Sequence, residues 1–76
     1  MAKRSYDYND YWIEVTVQDT DGRFEATATI FASRDSAWRG ASPVHRILSG
    51  GNNEEEADMA AAARAEAWID GHGTKR

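Results

Sequence analysis

The chain has 76 residues, a net charge of −4 and no cysteine. That length holds one domain with a modest core, because small chains bury a lower share of their surface. Lack of cysteine excludes disulfides, thiolate metal sites and cysteine nucleophiles. The nine basic residues are scattered and form no stripe, which disfavours nucleic acid as a partner.

No apolar run approaches the roughly 20 residues of a membrane span. Met1-Ala2-Lys3-Arg4 has no apolar stretch behind it and so does not read as a secretory signal. A soluble cytoplasmic protein without membrane association is the expectation. Residues 1–10 read as a flexible tail, in which Tyr6-Asp7-Tyr8-Asn9-Asp10 mixes aromatic and turn-forming residues with little periodic support.

Tyr11 to Gln18 alternates, with Tyr11, Ile13, Val15 and Val17 on one face and Trp12, Glu14, Thr16 and Gln18 on the other. This is the period of a half-buried strand. Asp19-Thr20-Asp21-Gly22 is a hairpin turn, since Asp-Gly supplies the positive φ that such turns need. It opens like a Ca²⁺-binding loop, but Phe24 and Ile30 stand where that loop needs Gly and Glu. Arg23 to Phe31 alternates again, with Phe24, Ala26, Ala28 and Ile30 inward. A two-residue turn at Asp21-Gly22 sets Val17, Val15 and Ile13 opposite Ala26, Ala28 and Ile30, and Trp12 opposite Phe31.

Ala32 to Pro43 reads as a long loop with Trp38 folded back over the core edge or, as the other option, facing solvent as a binding residue. Val44 to Ser49 is a short third strand whose inward face, Ile47 or the Val44/Leu48 pair, stays open. Asn53 suits an N-cap with Glu56 as its capping-box partner, and Glu54, Glu55 and Glu56 complement the helix dipole. The helix runs to Asp70 with Gly71 as its stop, and buries Ala57, Ala61, Ala65, Trp68 and Ile69. Trp68 is expected to be the core plug, its truncation to Ala costing on the order of 3–5 kcal/mol. Residues 72–76 read as a flexible tail.

The expected architecture is therefore α+β. It is a single β-β-β-α domain over residues 11–71, with one C-terminal amphipathic helix packed on a three-stranded antiparallel sheet. Its order and Ala-rich final helix resemble the second half of a double-stranded-RNA-binding domain. The stretch matching that family's basic phosphate-gripping motif is Glu55-Glu56-Ala57-Asp58, of opposite charge, so RNA binding does not carry over. Tyr11 to Asp70 is also similar to HicB-type antitoxin domains, through Asp19-Thr20-Asp21-Gly22 and the acidic helix start Glu55-Glu56-Ala57. That resemblance implies the fold and a regulatory role.

No catalytic, metal-binding or cofactor signature is present. His45 and His72, the two imidazoles, have no partner suggesting a base or ligand. Glu14 and Glu25 share the outer sheet face, where they read as solvated charges. One helix covers one sheet face, and the other carries Trp12, Thr16, Thr27, Thr29 and Phe31, near the Trp38 loop. Unless the Trp38 loop or the N-terminal tail covers Trp12 and Phe31, these six residues are the candidate interaction surface of a non-enzymatic protein-interaction or regulatory module, with a HicB-antitoxin-like regulator or a nucleic-acid-associated accessory domain as the alternative. Its expected partner is another protein or a second copy, as a homodimer through the uncovered face or an edge strand.

Overall fold

The computed structural model describes residues 2–72, so of the tail expected at residues 72–76 all but His72 lies outside the described residues. The element order is β1 (Ala2–Tyr8), β2 (Tyr11–Thr20), β3 (Arg23–Phe31), α1 (Arg34–Trp38), β4 (His45–Gly51) and α2 (Glu54–His72). The strands form one antiparallel sheet in the order β1-β2-β3-β4. The α+β architecture with a C-terminal helix on the sheet is as expected, but the sheet has four strands rather than three.

The additional strand is the segment read as a tail. Asn9 and Asp10 adopt φ of 47° and 71°, which closes a two-residue turn between Tyr8 and Tyr11. Asn and Asp are the non-glycine residues that enter this left-handed region most readily. The next turn has the same form, with Asp21 at φ 53° and Gly22 at φ 80°. Its register is the expected one: Val17, Val15 and Ile13 face Ala26, Ala28 and Ile30, and Trp12 faces Phe31. Glu14 pairs with Thr29 and Glu25 with Gln18, so the two carboxylates are not neighbours.

β4 pairs Ile47 with Ala28, which turns Ile47 to the core and Arg46 and Leu48 to the other side. The core consists of Ile13, Val15, Val17, Ala26, Ala28 and Ile30 beneath Ala57, Ala61, Ala62, Ala65 and Ile69 of α2. Alanines face alanines where helix and β3 meet, so the layers approach closely. Gly51 marks the tightest point. A Cβ there would lie 2.6 Å from the Ala57 nitrogen and 2.8 Å from the Glu56 Cβ.

α2 starts as its sequence demands. The Glu56 N–H donates to Asn53 Oδ1 at 2.8 Å, and Glu56 Oε1 accepts from the Asn52 N–H at 2.8 Å. The helix continues through Gly71 to His72, past the expected stop. Trp68 is half-buried at the edge of the core rather than its plug, and the fully buried side chain at this end is Ile69.

β1 is fastened to α2 by polar tips instead of aliphatic burial. Arg4 Nε donates to Asp58 Oδ2 at 2.8 Å and Oδ1 at 3.0 Å, and the Tyr6 hydroxyl donates to Glu66 Oε2 at 2.8 Å. Tyr8 donates to Asp70 at 3.1 Å, and Asn9 Nδ2 donates to the same carboxylate at 3.2 Å. From Tyr6 to Tyr8 the match follows from two repeats, since alternate strand residues advance roughly 6.6 Å and the four helix residues from Glu66 to Asp70 about 6 Å; Asp58 stands eight residues before Glu66. Burial and then the Glu66 carboxylate hold the Tyr6 hydroxyl well above the usual phenol range. Its bond to Asp70 likewise raises Tyr8, and Asp58 raises Arg4.

Candidate functional site: the open sheet face

With α2 on one face, the opposite face is built by the alternate residues of all four strands. Strand pairing arranges it in rows: Asp7, Trp12 and Phe31; Ser5, Glu14, Thr29 and Arg46; Lys3, Thr16, Thr27 and Leu48. The candidate residues Trp12, Thr16, Thr27, Thr29 and Phe31 therefore share one surface.

α1 sits on this face, at the end where Trp12 and Phe31 meet. Ser33 caps it, its Oγ accepting the Ser36 N–H at 3.1 Å. The turn contacts β2 and β3, and its Arg34 guanidinium lies 5.9 Å from the Trp12 ring centre and 4.7 Å from that of Trp38. Trp12 is only 9% exposed, with its Nε1–H donated to Glu14 Oε2 at 3.2 Å.

Trp38 is the reverse of the expected plug. It is 70% exposed, standing on the outer side of Arg34. Leu48 is also 70% exposed and Val44 46% exposed. Leu48 and Arg46 on β4, Val44 just before it and Arg34 on α1 are the residues at this surface that sequence reasoning missed. Their alternation was visible, but the segment has aliphatic residues in both phases. Beside Leu48 the face hollows into an open concavity of about 490 Å³, bordered by Arg23, Glu25, Gly50 and Asn52.

Formal charge is distributed unevenly between the two sides. α2 carries Glu54, Glu55, Glu56, Asp58, Glu66 and Asp70 against Arg64. On the β3, β4 and α1 part of the open face stand Arg23, Arg34 and Arg46 against Glu25, while Asp35 pairs with Arg39 at 3.0 Å.

The two histidines lie on the helix side. Both imidazoles stack on Trp68, each with a ring-centre distance of 4.7 Å, and His72 Nδ1 donates to the Trp68 carbonyl at 3.0 Å. They anchor the end of α2 over β4. Among the described residues no group of three or more His, Asp or Glu side chains is placed to hold a metal ion. Among them also, no helix is long and apolar enough to cross a membrane.

No family model matches the chain, and neither the curated proteins nor the solved structures yield a match. Similarity to the HicB-type and double-stranded-RNA-binding domains rests on the motifs quoted above. In the place of the latter family's N-terminal helix this chain has β1.

Proposed function

We propose that the protein is a small non-enzymatic interaction or regulatory module of the cytoplasm, which contacts another polypeptide through its open sheet face. One observation carries this reading. Among the described residues Trp38 and Leu48 are the two most exposed large hydrophobic side chains, Leu48 points to this side of the sheet, Trp38 stands on α1 beside it, and the exposed Val44 leads into β4. Apolar groups gathered in this way on a small domain mark contact surfaces, and Trp is a favoured anchor.

The test places a photo-crosslinking residue at position 48 and, as a control, at Ala63 on the exposed side of α2. Polypeptide adducts from position 48 in growing cells, and none from position 63, are expected. Equal labelling at the two positions, or none at position 48, refutes the reading. Sedimentation equilibrium of the purified chain then shows whether the partner is a second copy.

A further inference from the structure

We propose that the open edge of β4 accepts an extended segment of a different polypeptide as a fifth strand, one with an apolar–acidic–apolar pattern at alternate positions. The proposal rests on the interaction reading above and adds the chemistry of the partner. β4 pairs with β3 on one side and ends the sheet on the other. An edge of this kind offers backbone groups to an added strand, and the neighbouring side chains select which strand is added.

The two edges of the sheet are treated differently. β1 presents Lys3 and Asp7 on the open face, and such charges guard an edge against pairing. β4 presents Arg46 and Leu48 on that face, and the exposed Val44 immediately precedes the strand, so the sequence runs apolar–cationic–apolar at alternate positions. A strand alongside gains most from apolar groups beside Val44 and Leu48 and a carboxylate beside Arg46. From His45 to Gly51 the edge runs about 20 Å, so six or seven extended residues span it (roughly 3.3 Å each). The concavity at Gly50 leaves room for the end of such a segment.

Charge separates this partner from a second copy. β4 laid antiparallel on itself about Arg46 would set two guanidinium groups opposite each other, between molecules that each carry a net charge of −4. It separates the partner from nucleic acid as well. Single strands are held by successive exposed aromatic rings, whereas here Trp12 is covered and Glu14 and Glu25 stand among the cations.

The test titrates the full chain, followed by amide NMR, with the blocked peptide Thr-Val-Thr-Glu-Thr-Leu-Thr. Its counterpart with Lys for Glu and a short oligothymidylate are titrated in parallel. Saturable shifts confined to residues 44–50 and the Trp38 indole are expected with the first peptide. The Lys peptide should bind about tenfold more weakly, the effect of replacing an attractive rim contact by a repulsive one. Arg46→Glu should reverse that preference, and Leu48→Lys should weaken both peptides about tenfold with the circular dichroism unchanged. Equal affinity for the two peptides, shifts outside residues 44–50 and the Trp38 indole, or tighter binding of oligothymidylate would overturn the proposal. If no peptide binds but position 48 still crosslinks to protein, the partner class is wrong and the interaction reading stands. When both fail, both readings fall.

Discussion

Replacing Tyr6 by Phe isolates one rung of the fastening between β1 and α2. The substitution removes only the hydroxyl that donates to Glu66 at 2.8 Å. Hydrogen bonds to a charged group contribute about 1.5–3 kcal/mol when enclosed. This one is half-buried, and Glu66 recovers water when the hydroxyl leaves, so about 1 kcal/mol is expected. For a 76-residue chain that lowers Tm by roughly 4–8 °C at neutral pH. The pH dependence gives a second signature. Burial and Glu66 raise the folded Tyr6 above the ordinary phenol value of about 10, so its contribution is complete below that pH. Above about pH 10 the unfolded state sheds a proton that the folded state keeps, so stability falls as pH rises. Thermal melts of wild type and Tyr6→Phe from neutral pH to about pH 11 should therefore converge on the alkaline side. A constant gap between the curves, or equal stability at neutral pH, refutes the argument.

Two glycines should respond in opposite directions. Gly51→Ala drives a Cβ into the backbone of α2 and should cost about 1–3 kcal/mol, whereas Gly71→Ala meets nothing within 4 Å inside a helix and should add about 0.5–1 kcal/mol. Urea unfolding midpoints check both, and a shift of the same sign at the two sites refutes the close approach at Gly51. Ile69→Ala should cost about 2–5 kcal/mol and more than Trp68→Ala, because Ile69 is enclosed and Trp68 half-buried. The reverse order in the same assay would restore Trp68 as the core plug.

The β2–β3 hairpin was readable to the residue because both strands alternate cleanly about Asp21-Gly22, and one register serves both faces. β1 was not, for a physical reason. Its inward residues Arg4, Tyr6 and Tyr8 are held by hydrogen bonds to Asp58, Glu66 and Asp70, so it lacks the aliphatic alternation that marks a buried strand. Its turn, Asn9-Asp10, reaches positive φ without glycine. The only local sign was that pair of turn-formers between two tyrosines. At the candidate site, the pairing of Trp12 with Phe31 was legible from the hairpin alone. The exposure of Trp38 was not, since it depends on a single helical turn too short to show periodicity. Arg46 and Leu48 came into view only once Ile47 was seen to face Ala28. Histidines without a partner in sequence turned out to share Trp68, a contact between β4 and α2 that local pattern does not encode.

The β1–α2 fastening joins residues 54 to 62 positions apart in sequence. Such separation makes closure expensive in entropy and slows folding. During synthesis β1 leaves the ribosome before the other elements, and Asp58, Glu66 and Asp70 emerge only after the whole sheet. The β2–β3 hairpin can assemble from local contacts in the meantime, while the inner side of β1 waits for its carboxylates. Completion of the domain is thus timed by α2, and a chain stalled before Glu66 would carry a sheet whose first strand is still unsecured.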